Sequence, residues 1–169
     1  MAYNMLVVED NELTGKVLTS LFKKLGFQVH VLTNGTDALP YLETNDVDVL
    51  ILDLELPGMT GDQIYEGIRK NPKLNNLAIV PFTAHRDTES PGTLPTNLIW
   101  AEYKNTGKIP NIVFKKDRAN EDDDKDINNN LVDEVALCLM GQHKPITSQM
   151  VDYYLTTRKI KPEDLRNIR

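Results

Sequence analysis

Short apolar runs alternate with segments of helical period along this chain. "NMLVVE", from residue 4, reads as a strand. Residues 11–25 place Leu13, Val17, Leu21 and Leu25 at four-residue spacing with Leu18 and Phe22 beside them, which predicts an amphipathic helix closed by Gly26. "FQVHVL" predicts a second strand. Residues 34–44 have helical character with Pro40 in their middle, so a short or kinked helix is expected there. "VDVLILD" is almost entirely apolar, as a central parallel strand covered on both faces must be. The turn "LPGMTG" leads to a helix over residues 61–70, "LAIVPF" forms a fourth strand and "NIVF" a fifth. Residues 127–140, with Ile127, Leu131, Val135 and Cys138 on one side, form the helix after it. This order predicts a doubly wound α/β domain, its parallel sheet packed between helices by right-handed crossovers. Ligands are then received at the carboxyl ends of the strands.

Composition adds limits. The chain has 169 residues, 40% of them hydrophobic and 26% charged, enough for one proper core with an appendage. Its single cysteine, Cys138 in "VALCLM", reads as a small buried apolar residue, and a cytoplasmic protein is expected. No charged-then-apolar leader opens the sequence, and no apolar run approaches the ~20 residues of a membrane span, so no membrane partner is expected. Net charge is −6 and unevenly spread: residues 142–169 hold six Lys/Arg against three Asp/Glu, a net +3, leaving −9 on residues 1–141. An acidic body argues against nucleic acid as a general partner. The sign change divides the chain into a domain at 1–141 and a basic helical extension at 142–169. In the extension, Thr147 and Ser148 are candidate caps, and Met150, Val151, Tyr154 and Leu155 share a helical face. Its expected landing place is the acidic stretch "EDDDKD" at 121–126, on this body or on that of a second copy in a homodimer, with apolar contacts from Met150, Tyr154 and Leu155 supplying most of the hold.

The charges fall at informative places. Glu9 and Asp10 follow the first strand, Asp53 the third, Thr83 the fourth and Lys115 the fifth, so groups more than a hundred positions apart converge on one sheet edge. Three carboxylates in one crevice repel each other and call for a positive charge. Hard oxygen donors, few enough to leave room for water, suit Mg²⁺.

"VVEDN", "LILDLELPGMTG", "PFTAH" and "VFKK", in this order and spacing, resemble the receiver domain of two-component response regulators over roughly residues 4 to 141. The resemblance implies a flavodoxin-like five-stranded domain phosphorylated on an aspartate by a sensor histidine kinase or a phosphotransfer protein. It implies that Asp53 is the phosphoacceptor, that Glu9, Asp10, Asp53 and the backbone carbonyl of Glu55 hold Mg²⁺, and that Thr83 and Lys115 take the phosphoryl oxygens. It also implies a signalling protein rather than a turnover enzyme, with a downstream protein partner on the face from the fourth strand to the fifth helix.

Some positions depart from the family pattern. Lys116 stands where proline usually follows the lysine, and Ile112 where an aromatic is frequent. Glu55 and His85, two residues beyond Asp53 and Thr83, flank the site. From His85 to Pro110 run 26 residues, against the ~10 to 12 of a minimal crossover, with Pro91, Gly92 and Pro95 delaying a helix until near Asn97. Trp100 in that segment is expected to pack on the sheet. Two other classes fit parts of the pattern: a pseudo-receiver that binds without being phosphorylated, and a haloacid-dehalogenase-like phosphatase using "DLE" at 53–55. The phosphatase class places its motif on the first strand, whereas here it follows the third.

Overall fold

The computed structural model describes residues 2–54, 56–75, 77–83, 113–114 and 121–157. Glu55, the crossover from His85 to Pro110 with Trp100, Ile112, Lys115, Lys116 and the tail beyond Thr157 lie outside the described residues. So do the side chains of Thr83 and of residues 121–128.

Strands β1 (Tyr3–Val8), β2 (Phe27–Leu32), β3 (Val49–Leu52), β4 (Ala78–Thr83) and β5 (Val113–Phe114) lie in the order β2-β1-β3-β4-β5, every pairing parallel. Helices α1 (Glu12–Lys24), α2 (Ala38–Thr44) and α3 (Gly61–Arg69) connect the first four strands. Helices α4 (Glu121–Gly141) and α5 (Ser148–Thr157) follow the sheet. Alternation explains the uninterrupted apolar sequence of residues 5–8 in β1 and of β3. Met5, Val7, Val49 and Ile51 enter the core under α1, α4 and α5. Leu6, Val8, Leu50 and Leu52 enter the core under α2 and α3.

Local sequence sets several boundaries. Asn11 caps α1, its side chain accepting the Thr14 N–H at 3.0 Å. Thr60 and Gln63 form a reciprocal capping box that starts α3. Near Pro40 the chain makes a 3₁₀ turn at Gly35–Asp37 and enters α2 at Ala38, which leaves the proline in the first helical turn, where no N–H is needed. Helix α4 begins at Glu121, six residues before the expected start. The acidic stretch is therefore part of the helix, at the end where negative charge is favourable.

The apolar stripe of α1 is displaced from the expected one. Leu18, Phe22 and Leu25 are buried, but Leu13 is 73% and Val17 48% exposed. Gly15 instead faces the sheet, where an added Cβ would stand 3.2 Å from Val31 Cγ1, so the helix approaches β2 at its small residue. Cys138 is half-buried against the core.

The extension adds a helix to the same core. Met150 and Tyr154 of α5 are fully buried in the same core as Phe22, Leu25, Val135 and Leu139, with Val151 and Leu155 packed against it. The described polar contacts of α5 reach the end of α1, at the Leu25 carbonyl, and Asn129 and Asp133 of α4, beyond the acidic stretch. Apolar matching between α1 and α4 thus determines where this helix sits, because exposed charge pairs are worth only ~0 to 1 kcal/mol while a buried Met or Leu side chain contributes ~1.5 to 3 kcal/mol. Lys144 in the preceding loop bonds Asp48 at 2.8 Å, and Asp48 also accepts the Asn4 N–H, tying the loop to the amino-terminal edge of the sheet.

Candidate metal and phosphoacceptor site

Three carboxylates meet at the carboxyl edge of the sheet. β1 ends at Val8, and the next two residues are Glu9 and Asp10. The ladder continues past the strand ends: the Glu9 N–H donates to the Leu32 carbonyl at 2.9 Å and the Asp53 N–H to the Val8 carbonyl at 3.0 Å. The backbone at both acids is therefore held by neighbouring strands. One carboxylate oxygen each from Glu9, Asp10 and Asp53 lies within 4.8 Å of the other two. Glu9 is 1% and Asp53 3% exposed, while Asp10 is exposed.

Adjacent turns refine this arrangement. The Asn11 N–H donates to Glu9 Oε1 at 3.2 Å, orienting that carboxylate at the start of α1. On the other side, the Gly61 N–H donates to the Leu54 carbonyl at 3.2 Å. A Cβ at Gly61 would stand 2.8 Å from the Asp53 carbonyl oxygen, so α3 starts against the backbone that carries Asp53. Thr83 closes β4, its backbone paired with Phe114 of β5.

Charged carboxylates this close together and this deeply buried need compensation. An all-oxygen set of two buried acids and one solvent-facing acid, open on the side of Asp10, fits a hard divalent ion that keeps part of its water. Among the described residues this is the one acidic or His/Cys cluster with such spacing. The structure thus brings Glu9, Asp10 and Asp53 together. The glycine contacts behind Asp53 were not anticipated from the sequence, although "TNGTD" and "LPGMTG" both show turn composition.

A doubly wound parallel sheet carrying an acidic trio at the carboxyl ends of its first and third strands places this chain in the flavodoxin-like class. The chain belongs to the response regulator receiver domain family, whose model matches residues 5–93. Stress response regulator protein 1 of Meyerozyma guilliermondii is 32% identical over 108 residues, covering 62% of this chain and 45% of that protein. The chemotaxis protein CheY of Pseudomonas aeruginosa is 32% identical over 81 residues, 47% of this chain and 65% of CheY. This chain therefore spans less than half of the first relative's length and about two thirds of the second's. Among solved structures, response regulator TrrA of Thermotoga maritima in complex with Mg(2+)-BeF superposes with a TM-score of 0.53 at 26% identity, covering 73% of this chain and 95% of TrrA. No helix among the described residues is long and apolar enough to cross a membrane.

Proposed function

We propose that this protein is a response regulator whose Asp53 accepts a phosphoryl group from a phosphohistidine on a sensor histidine kinase or phosphotransfer protein, and that it signals by associating with another protein. The observation that carries this reading is the approach of Glu9, Asp10 and Asp53 within 4.8 Å, two of them buried. A site with that much negative charge has no use for an anionic substrate unless a cation is present. The family match and the TrrA complex with Mg(2+)-BeF support Mg²⁺ as that cation.

In this reading the carboxylates of Glu9, Asp10 and Asp53 and the backbone carbonyl of Glu55 hold Mg²⁺. When bound, the ion supplies charge neutralisation for the incoming phosphoryl group. An Asp53 oxygen forms the P–O bond as the P–N bond to the donor imidazole breaks; the electron pair returns to the ring nitrogen, which is reprotonated from solvent. Lys115 contributes a second positive charge, and the Thr83 hydroxyl donates to a phosphoryl oxygen, coupling the modification to the end of β4. Residues 1–141 carry this chemistry. The extension at 142–169 serves packing and partner contact rather than DNA binding, and the face from β4 to α4 is the output surface.

Incubation with a small acyl-phosphate donor and Mg²⁺, read by intact mass, tests the reading. One stable added phosphate, absent without the cation and absent from Asp53→Asn, is expected. Cation binding without modification would instead identify a pseudo-receiver. Repeated turnover of the donor without a lasting adduct would identify a phosphatase.

A further inference from the structure

We propose that the turn after β2, at Asn34–Gly35, is a positioning element for the phosphoacceptor loop, determining where the Asp53 carboxylate stands relative to Glu9 and Asp10. The inference rests on the function proposed above and concerns residues that lie outside the acidic trio.

The turn after β2 and the loop after β3 interlock, by backbone at Gly35 and by the Asn34 and Thr36 side chains at Gly58. Gly35 is buried, and a Cβ added there would overlap the Met59 carbonyl oxygen and come within 3.1 Å of Ile64 Cδ1. The facing loop has the complementary requirement. Gly58 has a φ of +80°, and a Cβ on it would stand 2.8 Å from Asn34 Oδ1 and 3.0 Å from Thr36 Cγ2. Each loop thus offers a glycine where the other presents an oxygen. Asn34 is itself held, since its Oδ1 accepts both the Thr36 N–H at 3.0 Å and the Thr36 hydroxyl at 2.9 Å.

The far side of the same loop touches the nucleophile's backbone. Two residues beyond Met59, Gly61 lies so close that a Cβ would stand 2.6 Å from Leu54 Cα and 2.8 Å from the Asp53 carbonyl oxygen. Pro57–Gly61 is therefore wedged between the Asn34–Gly35 turn and Asp53–Leu54. At Gly35–Met59 and at Gly61–Asp53 backbone meets backbone, with no side-chain rotamer between them to absorb a displacement, and close-packed protein passes such a shift on. Mg²⁺ tolerates little departure from octahedral geometry at ~2.0–2.1 Å, and phosphoryl transfer depends mainly on positioning. A small shift of the Met59 carbonyl is therefore expected to appear as weaker cation binding before it appears as unfolding.

The test uses the full chain with Mn²⁺ as probe, its free concentration followed by electron paramagnetic resonance, together with thermal unfolding of each variant. Gly35→Ala is expected to weaken Mn²⁺ binding roughly tenfold or more, as outer residues around metal sites commonly do. Asn34→Ala, at an exposed position that leaves the core intact, is expected to weaken it severalfold and provides the readout if Gly35→Ala does not fold. Leu42→Ala, at a buried position of α2 outside both loops, serves as a stability control that lowers the melting temperature while leaving Mn²⁺ affinity as in the parent. Parental affinity in a folded Gly35→Ala or in Asn34→Ala overturns the positioning role, as does a loss in Leu42→Ala equal to theirs. A parent that binds Mn²⁺ but takes no phosphate overturns the proposed function and leaves this role standing. A parent that binds no Mn²⁺ overturns both.

Discussion

Thr147 joins the end of one helix to the start of another: its hydroxyl donates to the Leu25 carbonyl at the end of α1, and the same oxygen accepts the Met150 N–H at 3.0 Å in the first turn of α5. A single side chain thus satisfies a free acceptor and a free donor at two helix ends. Replacement by the isosteric valine removes both bonds with little change in volume. Thr147→Val is expected to cost about 1 to 2 kcal/mol in urea unfolding. A midpoint equal to the parent's would mean that α5 is held by its apolar face alone.

The apolar face of α5 is expected to matter more. Met150 is fully buried, and Met150→Ala is expected to cost about 2 to 5 kcal/mol. Removal of everything after Gly141 exposes the same surface of α1 and α4 and should lower the melting temperature further. Retention on DNA, compared at low and moderate salt, is expected to be equally weak with and without the extension. A tight, salt-sensitive DNA interaction lost with the tail would make it a nucleic-acid arm.

His143 has a φ of +59°, a left-handed conformation that side chains with a Cβ adopt at a cost. It occupies the position that reverses the chain after α4, with the His143 N–H donating to the Met140 carbonyl and the Lys144 N–H to the Leu139 carbonyl. Glycine is the usual residue in that pattern. His143→Gly is expected to stabilise the protein by about 0.5 to 1 kcal/mol, measured by chemical unfolding. Destabilisation would show that the imidazole has contacts outweighing the backbone relief.

Mg²⁺ is expected to raise the melting temperature of the parent, since a ligand at 100 times its Kd stabilises the folded state by about 2.7 kcal/mol. Asp53→Asn removes one of three mutually repelling charges. It should therefore melt higher than the parent in the presence of a chelator and gain less from Mg²⁺. The same melting temperature for both proteins without cation would argue that the three carboxylates do not strain one another.

Lys115 rather than Lys116 is expected to serve the phosphoryl group, because it directly follows the apolar run "IVF". Alanine at each position, followed by hydrogen exchange with and without the acyl phosphate, should show the phosphorylation response reduced mainly in Lys115→Ala. Loss confined to Lys116→Ala would place the register one residue later.

The strand-ending acids could be read from sequence because residues 5–8 of β1 and all of β3 are continuous apolar runs, buried on both faces, that stop abruptly at Glu9 and Asp53. A run of that kind defines both its element and its end, and parallel alternation brings all such ends to one edge. The helix caps at Asn11 and Thr60 are likewise local, since the capping side chain and the N–H it accepts are three residues apart. What local pattern left open was the choice among neighbouring stripes and surfaces. In α1, Leu13 and Val17 match the helical period as well as Leu18 and Phe22 do; the approach of Gly15 to Val31, with Leu18 and Phe22 in the core that α5 also enters, turns one stripe inward. For the extension, Met150 and Tyr154 are buried as their helical face predicts, but only the closed fold shows that the core they enter is the one beneath α1 and that the polar contacts of this helix reach Asn129 and Asp133 of α4. The backbone contact between Gly35 and Met59 joins positions 24 residues apart with no side chain on the glycine to announce it. Sequence determines what each segment prefers by itself, whereas these choices depend on which distant surface fits, a property that exists only once the chain has closed around its core.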